Sequence, residues 1–174
     1  MAPLDRVCLV GAESTGKSQL AADLARHFGG VVVPLFAREY AIAAGRPLNE
    51  TDVEPIARGQ IANEDRAIGS LRILDTDLLS TVVYARHYYG SCPEWIERAA
   101  RERLAGLYLF LHADVPWIAD PARDASADRD QIHAAFHRTL DEFRAPYVSI
   151  AGSWDERRTK AIAAIGSMPA TLNP

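Results

Sequence analysis

Gly11-Ala12-Glu13-Ser14-Thr15-Gly16-Lys17-Ser18 follows the apolar run Arg6-Val7-Cys8-Leu9-Val10 and precedes a segment with apolar residues at Leu20, Leu24 and Phe28. The run reads as a buried strand and the i, i+4, i+8 stripe as an amphipathic helix closed by Gly29-Gly30. Between them stands G-x-x-x-x-G-K-[ST], the phosphate-binding P-loop, in the strand–turn–helix context that this motif requires. Glycine lets backbone N–H groups converge on phosphate oxygens, and the helix N-terminus adds partial positive charge. Gly11, Ala12, Glu13, Ser14, Thr15, Gly16, Lys17, Ser18 and Gln19 are therefore the expected nucleotide-binding residues, with Lys17 on the terminal phosphates and Ser18 on Mg²⁺.

The remaining pattern agrees. Short apolar runs recur at Val31–Val33, Leu71–Leu74, Leu107–Leu111 and Tyr147–Ile150. Helical segments lie between them at Lys17–Phe28, Phe36–Ala44, Asp52–Ile68, Leu78–Tyr89, Glu94–Leu104, Asp128–Arg144 and Trp154–Ile165. Strands apolar on both faces, alternating with helices, predict an α/β three-layer fold with a parallel sheet of roughly five strands. Leu107–Leu111 is the most apolar run and is expected to be a central strand. Residues 1–166 read as one P-loop domain and 167–174 as a tail, within 174 residues that bear a net charge of −4. That acidity argues against a protein that grips a nucleic-acid backbone. No apolar run approaches the ~20 residues of a membrane span, and a cytoplasmic location is expected. Cys8 and Cys92 belong to no CxxC pair, which argues against a disulfide framework or zinc site. No residue pattern dictates an oligomeric state.

In a parallel sheet, ligands sit outside the carboxyl ends of the strands, so the residues there carry the chemistry. The third strand ends in Asp75-Thr76-Asp77, without the adjacent Glu that polarises water in motor ATPases. Thr159-Lys160-Ala161-Ile162 lacks the Asp of a guanine-reading motif. A small kinase suits these features, since its carboxylate takes a proton from a substrate hydroxyl. Asp75 and Asp77 could equally cap the next helix, and Arg38-Glu39 could be a solvated pair. His133 and His137 are spaced i, i+4, but lack a third ligand, and read as a helix face. Trp154, after the last strand, is placed near the adenine side.

The P-loop, Arg38-Glu39-Tyr40, Asp75-Thr76-Asp77 and Pro116-Trp117-Ile118-Ala119-Asp120 with Arg123 stand in an order and spacing that resembles the nicotinamide riboside kinase domains of NadR type. The resemblance runs from about Arg6 to Ile165, and it implies a stand-alone kinase module without the family's adenylyltransferase domain. It implies transfer of the γ-phosphoryl group of ATP, with Mg²⁺, to a ribosyl hydroxyl of a small-molecule acceptor. Under it, Lys17, Asp75 and Arg123 are catalytic, and Ser18 and Asp75 hold the metal. Arg38, Glu39, Asp77, Trp117 and Asp120 line the acceptor pocket, and Arg123, with Arg129, belongs to a loop closing on the phosphates. One departure matters. The family's nicotinamide ring lies between two aromatic side chains, whose positions here are Pro34 and, in the helix containing Gly59-Gln60, Asp65; Leu35 stands where the family has Glu. Stacking is worth about 1–3 kcal/mol per face, so losing both would weaken a riboside by about one to four powers of ten. Phe36, Tyr84, Tyr88 and Trp117 are the aromatic side chains available in their place. The alternatives are a kinase of another nucleoside or small alcohol, and a nucleotide-binding regulatory module without an acceptor.

Overall fold

The computed structural model describes residues 5–114 and 128–168. Its strands are β1 (Arg6–Val10), β2 (Val31–Val33), β3 (Arg72–Asp75), β4 (Leu107–Leu111) and β5 (Tyr147–Ile150). Its α-helices are α1 (Lys17–Phe28), α2 (Phe36–Ala44), α3 (Val53–Arg66), α4 (Leu78–Tyr89), α5 (Glu94–Glu102), α6 (Arg129–Glu142) and α7 (Trp154–Gly166). The strands form one sheet in the order β2-β3-β1-β4-β5, every neighbouring pair parallel. The middle strand is β1, and β4, expected from its apolarity to be a central strand, lies beside it in the interior of the sheet between β1 and β5. Its apolarity reflects complete burial, which an interior strand shares with the middle one.

Successive side chains of a strand point to opposite faces, and both faces are covered. Val7, Leu9, Ile73, Leu107, Leu109 and Leu111 pack with Leu20 and Leu24 of α1 and Ala161 and Ile165 of α7. Cys8, Val10, Leu74, Tyr108 and Phe110 face the opposite way, beneath side chains of α3, α4, α5 and α6. Helix ends depart from the sequence reading where side chains intervene. A 3-10 turn over Glu50–Asp52 precedes α3, because Asn49 and Asp52 close a capping box there. The chain turns extended at Ala67, so α3 stops at Arg66. Arg144 takes a left-handed φ of 54°, which ends the α6 segment early.

The winding places β2 and β3 on one side of β1 and β4 and β5 on the other. The reversal occurs at the carboxyl end of β1, where the P-loop begins, and such a switch point opens a crevice for ligands. No helix among the described residues is long and apolar enough to cross a membrane.

Candidate active site

The P-loop is held from three directions. Gly11, at φ 143°, lies so close to the end of β4 that a Cβ would come within 2.5 Å of the Leu111 carbonyl oxygen. Ser14 and Gly16 take left-handed conformations, φ 53° and 84°, which turn successive N–H groups inward as an anion cradle requires. Thr15 is buried and donates its hydroxyl to the Ala12 carbonyl at 3.0 Å. Lys17 folds back over the loop, its Nζ donating to the carbonyls of Gly11 at 3.0 Å and Ala12 at 2.7 Å. Those carbonyls occupy the ammonium within the loop that phosphates would enter. Gln19 is exposed on the first turn of α1 and donates along the helix to Asp23.

Ser18 and Asp75 meet at the mouth of this loop. The Ser18 hydroxyl donates to Asp75 Oδ2 at 2.5 Å, joining the first turn of α1 to the end of β3. A hydroxyl and a carboxylate converging beside a phosphate cradle match the oxygen-only preference of Mg²⁺, which takes a few protein ligands and completes its shell with phosphate and water. No group of three or more His, Cys, Asp or Glu side chains among the described residues is arranged as a metal cage. His133 stacks on Phe110, with ring centroids 4.6 Å apart.

Trp154 and Arg157, both on the first turn of α7, brace the loop. A methyl group on Gly16 would come within 2.6 Å of the Trp154 ring, so the indole, about a third exposed, lies directly against the loop. Sequence reasoning expected Trp154 near the adenine side, and it missed Arg157. That guanidinium is fully buried. It donates to the Gly152 carbonyl at 2.8 Å, the Thr15 carbonyl at 3.3 Å and the His112 carbonyl at 3.0 Å, and it pairs with Asp114. The available signal was the Ser153 and Glu156 capping-box spacing, which starts the helix and puts Arg157 one turn inside it. Arg129 makes a parallel contact from α6, donating to the Ser14 carbonyl at 3.0 Å.

Beside the loop lies a cavity of about 560 Å³, lined by Glu13 and Lys17, by α2 and α3, and by α4. Arg38 lines it, whereas Glu39 is exposed on α2 and is not among the described lining residues. Helical periodicity separates the two, since adjacent residues on a helix face about 100° apart. Asp77 lines the cavity too, but its carboxylate is committed elsewhere. Oδ1 caps α4 by accepting from Leu79 N at 3.0 Å, and Oδ2 accepts from the buried Tyr108 hydroxyl at 2.6 Å. Burial pushes the Asp77 carboxyl above its ordinary range, and the Tyr108 hydrogen bond works against that. Asp52 is likewise engaged, by the Arg46 guanidinium, the Asn49 N–H and the Tyr40 hydroxyl, and the Arg46 hydrogen bonds hold it far below the usual carboxylate range.

The aromatic side chains divide. Tyr84 and Tyr88 line the cavity and stack on each other at 6.2 Å and 9°. Tyr84 also donates to Glu13 of the P-loop at 2.8 Å. Phe36 instead packs onto the α3 backbone at Gly59, and neither Pro34 nor Asp65 is among the lining residues. Asp65 is exposed and paired with Arg103 at 2.5 Å. Trp117, Asp120 and Arg123 lie outside the described residues.

A sheet of this order, with the P-loop after its middle strand and a cavity beside it, is the fold of P-loop nucleoside and nucleotide kinases. Thymidylate kinase from Ehrlichia chaffeensis matches 94% of this chain and 100% of its own at a TM-score of 0.71 and 11% identity. Within that fold the chain belongs to the AAA domain family, whose model matches residues 6–157. The trifunctional NAD biosynthesis/regulator protein NadR of Escherichia coli is 26% identical over 93% of this chain. The chain spans 42% of that relative's length. A crystal structure of NadR in complex with NR matches 98% of this chain and 52% of its own, with a TM-score of 0.79 and 24% identity.

Proposed function

We propose that this chain is an ATP-dependent kinase that moves the γ-phosphoryl group to a hydroxyl of a nucleoside-like acceptor, nicotinamide riboside to nicotinamide mononucleotide being the nearest named activity. The observation that carries the reading is the cavity's position: its wall includes Glu13 and Lys17 of the P-loop itself, so an acceptor held there abuts the phosphates. The similarity to NadR over most of the chain supports the named acceptor.

Phosphoryl transfer requires in-line positioning and neutralisation of charge far more than covalent chemistry. Lys17 exchanges its carbonyl partners for the terminal phosphates, a change favoured because an ammonium–phosphate contact is charge-assisted on both sides. Ser18 and Asp75 would hold Mg²⁺, which would supply charge neutralisation for the phosphates. Trp154 supplies an apolar face over the loop on the adenine side. The acceptor proton passes to a carboxylate at the junction of cavity and loop. Asp75, bonded to Ser18 of α1, and Glu13, bonded to Tyr84 of the cavity wall, stand at that junction and are the carboxylates placed for this role. Arg38 lines the acceptor cavity, and Trp117, Asp120 and Arg123 complete the site by resemblance.

The test is ADP release with Mg²⁺-ATP, with and without nicotinamide riboside, with the product identified by mass. Riboside-dependent ADP with nicotinamide mononucleotide is the expected result, and Lys17→Ala reduces it by about 10²-fold or more, as loss of a preorganised charge donor does. ADP release indifferent to the riboside moves the acceptor to another nucleoside or small alcohol. Nucleotide binding without any ADP, whatever the acceptor, would replace the kinase by a regulatory module.

A further inference from the structure

One contact joins the far wall of the cavity to the nucleotide loop. The Tyr84 hydroxyl of α4 donates to Glu13 Oε1 at 2.8 Å, across 71 positions of the chain. Both residues line the cavity, as does Lys17. The tyrosine ring is set in place by its neighbours. It meets Phe136 of α6 edge to face, with ring centroids 5.8 Å apart, and lies parallel to Tyr88 at 6.2 Å. Its hydroxyl therefore reaches the loop from a fixed position, and a bond from hydroxyl to carboxylate is among the stronger hydrogen bonds.

Glu13 stands in the part of the loop that must rearrange. On one side of it, the Ala12 carbonyl accepts from Lys17 Nζ at 2.7 Å, a bond given up when the ammonium turns to phosphate. On the other side, Ser14 holds a left-handed φ of 53°, which is disfavoured for any residue with a Cβ. The Ser14 carbonyl is held from α6 by Arg129 at 3.0 Å. The stretch from Ala12 to Ser14 thus has two arrangements, one closed on Lys17 and one open to nucleotide, and its middle side chain is tied to the acceptor wall. An element of this kind can be biased from two sites at once. We propose that Tyr84 is a positioning residue through which the cavity and the P-loop act on each other, so that a molecule seated against its ring raises nucleotide affinity. Nucleotide then raises the affinity of the cavity by the same factor. The physical basis is that the first ligand orders the turn, and the second finds it already ordered. The inference rests on the kinase reading for what enters the two sites. Its consequence for a kinase is that the loop grips ATP most firmly when an acceptor, and not water, occupies the cavity.

Calorimetric titration of a nonhydrolysable ATP analogue with Mg²⁺, with and without saturating nicotinamide riboside, measures the coupling. In the parent protein the riboside tightens analogue binding by about 5-fold or more, the lower end of ordinary coupling between sites. Tyr84→Phe keeps the ring against Phe136 and Tyr88 and removes only the donor. Without riboside its analogue affinity stays within about threefold of the parent's, and the riboside then changes that affinity by less than about twofold. Glu13→Ala removes the partner and abolishes the coupling too, and adding Tyr84→Phe to it changes the coupling no further, as for two residues that act as a unit. A tyrosine that only supported the fold would lower analogue affinity equally with and without riboside, and that result overturns the proposal. Full coupling in either single variant also overturns it. ADP release from ATP in the same mixtures separates this proposal from the kinase reading. Riboside-dependent ADP without coupling in the parent leaves a kinase with independent sites and removes the proposal. Coupling without ADP keeps the role of Tyr84 and removes phosphoryl transfer. No effect of riboside on either measurement overturns the proposal, and ADP release with adenosine or cytidine then decides whether a kinase remains.

Discussion

Arg157 shows how a single side chain can govern a loop that it does not belong to. Three backbone carbonyls, from Thr15, His112 and Gly152, converge on one fully buried guanidinium. Its rigid fork of donors serves acceptors in several directions at once, which a lysine ammonium on a flexible stem does not. Asp114, less buried, supplies the counter-charge and accepts from Gly152 N at 2.8 Å. Replacing Arg157 by Met leaves those carbonyls buried and unanswered, so we expect a loss of about 2–4 kcal/mol in urea unfolding. Arg157→Lys retains the charge and recovers only part of it. Because the Thr15 carbonyl belongs to the P-loop, both variants also weaken ATP binding, measured by calorimetric titration. Unaltered stability and unaltered ATP affinity in Arg157→Met would remove Arg157 from this role.

The pairing of α2 with α3 decides where the acceptor wall stands. Gly59 lies inside α3, and a Cβ there would come within 2.0 Å of the Phe36 ring at the start of α2. An interior helical Gly→Ala change ordinarily stabilises by about 1 kcal/mol. Here the steric term outweighs propensity, since forcing a packed ring aside costs about 1–3 kcal/mol. Gly59→Ala therefore lowers the melting temperature. It also raises the acceptor KM more than it lowers kcat, because α2 bears Arg38 and is preceded by Leu35, both in the cavity wall. A higher melting temperature in Gly59→Ala would show that the ring yields freely. These contacts explain what sequence could and could not disclose. The strands and α1 were readable because burial on both sheet faces leaves unbroken apolar runs and a regular stripe. The direction of side chains at the strand end was not. Asp75 and Asp77 look equivalent in sequence, but the left-handed Thr76 between them breaks the strand's alternation. One carboxylate goes to Ser18 and the other to Tyr108. Phe36, one of four aromatic candidates for the ring, proved to be the partner of a glycine.

Long-range polar contacts beneath the cavity tie the helical layer to the sheet and set a pH dependence for the fold as a unit. Glu64 of α3 is buried at a side-chain exposure of 2%, accepts from Arg6 of β1 at 2.7 Å and pairs with Arg103, beyond α5, at 3.3 Å. Gln60, one turn earlier on α3, links the same region to the Thr76 carbonyl. None of this was visible in the sequence, because Glu64 sits among polar residues on a helix whose apolar stripe is weak, and its partners are 58 and 39 residues away. Burial, reinforced by the charge of Asp77, raises the Glu64 carboxyl to about 7 against Arg6 and Arg103, which pull it down. The unfolded chain releases this proton near pH 4.5, so between that value and about 7 the folded state binds more protons than the unfolded state. Stability from this group is therefore complete below pH 4.5 and is lost as the pH rises toward 7. The difference amounts to about 3 kcal/mol. Asp77, also raised, acts in the same sense, while His133, pushed down mainly by burial, acts in the opposite one below its ordinary range. The comparison that isolates Glu64 is therefore between proteins and not between pH values alone. Glu64→Gln, which keeps an acceptor for Arg6 without titrating, should gain stability relative to the parent from pH 5 to pH 8 by about that amount in urea unfolding. A parent-to-variant difference that stays constant across this range would show that the folded Glu64 carboxyl does not titrate between these values, and would remove this pH dependence.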